Sequence, residues 1–129
     1  VVHAIATQAQ YADLAEKYST DEDYPIGTVI CVGGEKEATA SQPGCIPIGV
    51  VSENPAYLMN ADGDGQIVGL KGRVPVKVIG QVNKGDAVYV GDTTGVASKN
   101  ADNGAHIVGV AMVDSNNSSI KLVECVLKL

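Results

Sequence analysis

Apolar positions along this chain fall into short runs, and Gly, Asn, Asp and Pro separate them. From Ile26 onward the runs are rich in Val and Ile, residues whose branched Cβ suits a pleated, half-buried surface. The pattern predicts nine strands: Ile26–Val32, Glu37–Ala40, Ile46–Ser52, Gln66–Leu70, Arg73–Ile79, Ala87–Val90, Val96–Ser98, Ala105–Val113 and Ser119–Val126. Many short strands at this spacing imply a sandwich or barrel. Asn116-Asn117 and Gly63-Asp64-Gly65 read as hairpin turns. Gly72–Val78 alternates, with Val74, Val76 and Val78 on one face and Arg73, Pro75 and Lys77 on the other. Pro75 lacks a ladder donor, which predicts an edge or a bulge there.

Residues 1–18 read differently. They hold no Gly or Pro, and Ile5, Ala9, Ala12 and Ala15 fall on one helical face with Leu14 and Tyr18 beside it. The segment is a short helix over Ala9–Lys17 or an extended lead-in, and the spacing favours the helix. The acidic run Ser19–Pro25 reads as a solvated loop. This divides the chain into a lead-in, residues 1–23, and one β domain, residues 24–129.

An internal repeat runs through the β domain, with units at about 24–52 and 82–114. PIGTVICVG at Pro25–Gly33 matches NKGDAVYVG at Asn83–Gly91, aligning Gly27 with Gly85. Ala40-Ser41 then matches Ala97-Ser98, and Ile48-Gly49-Val50 matches Val108-Gly109-Val110. Gly27 and Gly85 should occupy equivalent turns, and Gly49 and Gly109 equivalent return strands.

Composition supports an all-β fold. The chain has 129 residues, fitting one domain, with 19 Val, 14 Ala and 9 Ile but only 6 Leu, too few for a helical bundle. Nine Lys and Arg against 15 Asp and Glu give a net charge of -6, and the basic residues are scattered. Nucleic-acid binding is not expected, because phosphate neutralisation needs a basic face. No apolar run is long enough to cross a bilayer, so no membrane insertion is expected. Val1–Tyr18 lacks the pattern of a signal peptide. The chain does not begin with Met, which fits a processed product or a piece of something longer.

Candidate chemistry is sparse. Cys31, Cys45 and Cys125 form no CxxC pair, and three reduced thiols are expected, as in a reducing cytosol. Asn60–Gly65 resembles the start of a calcium loop, but Lys71 stands where a bidentate Glu is needed, so a plain Asp-Gly turn is the better reading. His3 and His106 belong to no metal-ligand spacing, and Ser41, Ser52 and Ser98 lie in no nucleophile elbow. The expectation is a non-enzyme with no catalytic residues, no metal and no cofactor.

Three stretches carry a resemblance. They are Ala9–Val29, Ile48–Asn60 and Leu70–Asp86. In this order they resemble the carboxy-terminal β domain of tailed-phage structural proteins, chiefly tail fibres and virion appendages. The second half also resembles the β-clip layout of capsid cement proteins and of sugar-binding antifreeze-type modules. A more distant likeness, through Tyr11–Glu16, is to auto-cleaving carboxy-terminal domains of phage appendages, although no residue set here supplies that chemistry. The resemblance implies a virion component made in the host bacterial cytoplasm, working with other virion proteins. It implies a tail-fibre or appendage domain, with capsid decoration or carbohydrate binding as the alternatives.

A Val- and Ala-rich core buries little apolar area per residue, so subunit association should add burial. A homotrimer is expected, since a heterologous interface closes as a ring. Its candidate interface is the stripe Ile5, Ala9, Ala12 and Ala15, with Arg73 and Lys77 pairing with acids of a neighbour. Tyr57, in a loop reading, is the candidate for stacking a host surface glycan.

Overall fold

The computed structural model describes residues 12–129. It holds ten strands: β1 (Ala12–Tyr18), β2 (Val29–Val32), β3 (Ala38–Ala40), β4 (Pro47–Val51), β5 (Tyr57–Met59), β6 (Gln66–Val78), β7 (Ala87–Val90), β8 (Ala97–Ser98), β9 (Ile107–Ala111) and β10 (Lys121–Leu127). There is no helix among the described residues. The fold is all-β, as the alternation of short apolar runs and turn residues implies.

The strands close into two small rings that share β6. In the second, β10, β9, β7, β8 and β6 pair in that order, and β10 pairs back onto β6 across Arg73–Val78. In the first, β6, β4, β2 and β3 pair in order while β1 pairs with β6. Thr20, just past β1, then bridges Ala38 of β3 in parallel. The second ring has the equivalent parallel bridge, Val78 to Ala97.

The registers establish the repeat. In one unit Val29 faces Val50, Ile30 faces Gly49, and after a bulge Cys31 faces Pro47. In the other, Ala87 faces Val110, Val88 faces Gly109, and after a bulge at the same place Tyr89 faces Ile107. Gly27 and Gly85 share a positive φ, 91° and 94°, and their amides donate to Val51 O and Ala111 O respectively. One block is displaced from the sequence alignment. Ala38-Thr39, not Ala40-Ser41, corresponds to Ala97-Ser98, because Ala38 pairs with Val32 and Ala97 with Val90. The correspondence also reaches back into β1: its pairing with the first half of β6 mirrors the pairing of β6's second half with β10.

Three sequence expectations change. The segment read as a helix over Ala9–Lys17 is, in its described part, strand β1. Burial alternates there, Ala12 exposed, Asp13 buried, Leu14 half-buried and Ala15 buried, and ladders to both β5 and β6 outweigh a helix too short to persist alone. The two strands expected at Gln66–Leu70 and Arg73–Ile79 are one. Gly72, at φ 106°, carries the chain through a bend where a Cβ would collide with the Ala12 carbonyl. β6 is also not an edge. Lys77 N–H donates to Gly27 O rather than to β10, so Pro75, two residues back, faces Glu124 at a position where that ladder needs no donor. Nor is there a bulge at Pro75, where the β10 register runs unbroken; the bulge in β6 falls at Leu70, between the partners of Leu14 and Ala15. The Gly63–Gly65 turn leads into β6, but β5 pairs with β1 rather than with β6.

Two apolar clusters fill the rings. The larger gathers Val74, Val76, Val78, Val88, Val90, Val108, Val123, Cys125 and Leu127, and also takes Val29 and Val50 from the first unit. The smaller gathers Ile30, Ala38, Val51 and Val68, with Tyr18, Tyr24, Ile48 and Leu70 at its margin. The Gln66 amide serves as a backbone surrogate: its oxygen accepts from Tyr24 N–H at 2.8 Å and its nitrogen donates to Tyr24 O at 2.8 Å.

The thiols also differ from expectation. Cys31 and Cys45 form a disulfide, with Cα atoms 6.4 Å apart, and only Cys125 is free. β4 returns antiparallel to β2 with Pro47 opposite Cys31, so Cys45, two residues before Pro47, meets Cys31 at bonding distance. Burial, with a smaller contribution from Glu124, pushes the Cys125 thiol up to about 12, leaving it protonated and inert.

Candidate assembly surface

The outer face of β5, β1, β6 and β10 collects most of the described residues singled out from the sequence. Alternation along a strand and register across strands decide which side chains share a face. Leu14 lies opposite both Tyr57 and Lys71. Arg73 lies opposite Ala12 and Val126, Pro75 opposite Glu124, and Lys77 opposite Leu122. Val74, Val76 and Val78 point inward with no exposure. Thus Ala12, Tyr57, Arg73 and Lys77, read separately from the sequence, belong to one surface.

That surface is amphipathic. Leu122 is 53% exposed and Tyr57 64%. Arg73 Nε lies 3.5 Å from Glu124 Oε1, with both side chains nearly half exposed, so the pair contributes little to the monomer. Charge is graded along β6. Its start at Gln66 adjoins a depression lined by four acids, Asp21, Glu22, Asp23 and Asp64, and one base, Lys36, whereas Lys71, Arg73 and Lys77 follow farther along the strand.

Not every candidate joins this face. Ile5 and Ala9 lie outside the described residues. Ala15 is fully buried in the chain's own core, on the opposite side of β1 from Ala12. The helical stripe is therefore not a surface in the described part, because strand periodicity splits it. Tyr57, read as a loop residue, stands instead on strand β5. His106 is exposed, and Asn60–Gly65 is a turn in which Gly63 N–H donates to Asn60 O.

Sequence reasoning missed Asp13. Its side chain is 3% exposed, Oδ2 accepts from Ser52 Oγ at 2.9 Å, and Oδ1 has no partner. Burial raises its pKa above 3.8, while the Ser52 hydrogen bond opposes the shift. The signal was present: read with period two, Asp13 shares its face with Ala15, an acid at a core position.

No protein-family model and no curated protein sequence matches the chain. Solved structures do. The chain is similar to the bacteriophage phi29 gene product 12 C-terminal fragment, at 14% identity and a TM-score of 0.65, over 90% of this chain and 100% of that one. It is also similar to the pre-mature bacteriophage phi29 gene product 12, at 14% identity and a TM-score of 0.68, over 92% of this chain but 22% of that one. At this identity the likeness is one of fold: two rings of short strands arranged as in a domain of a bacteriophage protein.

Proposed function

We propose that the chain is a non-enzymatic structural domain of a phage virion, a tail-fibre or appendage domain that assembles as a homotrimer. The observation that carries this reading is a fold shared with the whole of a bacteriophage C-terminal fragment. The three sequence stretches that resemble phage fibre domains agree with it. The outer face of β5, β1, β6 and β10 supplies the contact. Exposed Leu122 and Tyr57 offer apolar area, and the basic half of β6 matches the acidic loops at its other end. Such a head-to-tail match is heterologous, and three copies close it into a ring. Electrostatic complementarity of this kind fixes register and orientation.

Analytical ultracentrifugation of the chain tests the assembly. A trimer is expected, with association weakened about tenfold or more in the Arg73→Glu/Lys77→Glu double variant, while its unfolding midpoint as a monomer stays near the parent's. A monomer at micromolar concentration, or a trimer indifferent to both reversals, would sink the proposed contact. A cryo-EM map of the particle tests the location: density on the tail supports a fibre or appendage, and density on the capsid shell favours decoration instead.

A further inference from the structure

The two units part company at one pair of equivalent positions. Cys31 of β2 corresponds to Tyr89 of β7, and Cys45 corresponds to Ala105. In the first unit the disulfide draws the connection after β3 down onto β2. In the second unit no bond is available, and the connection after β8, residues 99–106, is two residues longer than the one after β3, residues 41–46. It leaves a groove of about 320 Å³, lined by Tyr89, Lys99, Asp102, Asn103, Gly104 and Ala105.

The lining restricts what can bind. Tyr89 projects outward from β7, because its neighbours Val88 and Val90 are buried in the core, and the residue is half-buried. The Asp102 carboxylate only accepts hydrogen bonds, while the Asn103 amide both donates and accepts. Both residues are exposed on the connection. Lys99 is the one cation of the lining, and its Nζ already lies 3.4 Å from Asp86 Oδ2. A phosphate or sulfate would meet Asp102 and a cation already paired. An apolar ligand would find one aromatic ring in an otherwise polar groove. What suits both features is an uncharged molecule with one apolar face and several adjacent hydroxyls.

We propose that this groove binds a neutral pyranose sugar. The CH face of the ring stacks on Tyr89, and vicinal hydroxyls are shared between Asp102 and Asn103. The site stands apart from Tyr57 and from the face of β5, β1, β6 and β10, and the proposal does not depend on trimerisation.

The test is a titration of the isotopically labelled chain, followed by amide NMR shifts, with methyl glucoside, methyl galactoside, methyl rhamnoside and N-acetylglucosamine as probes. At least one should give saturable shifts at Tyr89 and at Asp102 to Ala105. The affinity should fall about tenfold or more in Tyr89→Ala and in Asp102→Ala. Tyr89→Phe, which keeps the ring, should retain binding, as should Tyr57→Ala. If Tyr89→Ala fails to fold, Asp102→Ala, on an exposed connection, carries the comparison. The proposal is overturned if none of the four sugars shifts these amides at tens of millimolar, if the shifts map to Tyr57, or if Asp102→Ala binds as the parent does.

Discussion

One strand plan is used twice in this molecule, and the two copies are finished differently. In the first unit, Val29 and Val50 turn outward from their own ring and are fully buried in the core of the second. Their counterparts Ala87 and Val110 are only half-buried. The first unit also carries the disulfide, while the second leaves Tyr89 facing a groove. The turns are anchored differently as well. In the first, Asp21 Oδ1 accepts from Glu35 and Lys36 N–H, holding the turn within its own unit. In the second, Gly95 reaches across: its amide donates to Ser41 O, and its carbonyl accepts from Val29 N–H. A shared framework thus fixes backbone register, while the residues at outward positions decide which unit is sealed and which stays open.

The two units differ most at the disulfide. Closing a loop of 14 residues restricts the unfolded chain by about 3 kcal/mol. Cys31→Ser/Cys45→Ser should therefore lower stability by roughly that amount, read as a shift of the denaturant midpoint. Hydrogen exchange should show the loss of protection concentrated in β2–β4. A uniform loss across both units would mean that the disulfide does not distinguish them.

The return strands should respond alike. A Cβ on Gly49 would stand 2.4 Å from Gly69 O, and one on Gly109 would stand 2.5 Å from Val126 O. Gly49→Ala and Gly109→Ala should each cost about 2 kcal/mol from overpacking against backbone. Markedly unequal costs in thermal unfolding would weaken the equivalence of the two strands.

The turn glycines should differ. Both have a positive φ, so either substitution brings backbone strain of about 1 kcal/mol. A Cβ on Gly27 also meets Leu122 Cδ2 at 2.4 Å and Lys77 N at 3.1 Å, whereas one on Gly85 meets nothing within 4 Å. Gly27→Ala should be the more damaging of the two by a further ~1 kcal/mol. Equal losses would place Gly27 in a more open site than the structure gives it.

The smallest effect concerns Asp13, which has no acidic counterpart in the second unit. Its folded-state pKa is raised by burial above the value of 3.8. The folded chain therefore holds this proton more tightly than the unfolded chain does. That contribution is fully present below about 3.8 and is lost as pH rises through the higher folded value. The parent should lose stability relative to Asp13→Asn as pH rises through that window, with the difference constant above it. A pH-independent difference in unfolding free energy would show that Asp13 does not titrate in this way.

Much of the fold was legible because it rests on local patterns. β7 falls at its expected bounds, and the glycines at 27, 49, 85 and 109 mark equivalent positions because a turn or a close backbone approach demands them. The Ala-Ser pairs misled, since small residues look alike and register is set by hydrogen bonding rather than by identity. β1 was hidden because seven residues of mixed polarity satisfy either period, and only its partners β5 and β6 decide. The disulfide was hidden for a similar reason: its geometry depends on β4 pairing back onto β2, not on spacing. At the assembly surface, Arg73 and Lys77 were readable from alternation. That Tyr57 and Ala12 share their face required the long-range pairing of β1 with both neighbours. The Tyr89 groove left no motif, because it lies where the second unit has Tyr89 and Ala105 in place of the disulfide pair.

β6 gives its first half to one ring and its second half to the other, without a break in the backbone. There is consequently no hinge or linker at which the duplicated halves could be cut apart. A chain stopped after Val78 would own a complete first ring yet leave Val29 and Val50 without the strands that cover them. During synthesis the first ring should therefore complete its packing only when the second covers Val29 and Val50. The domain should acquire its native state in one cooperative event, after β10 has emerged from the ribosome.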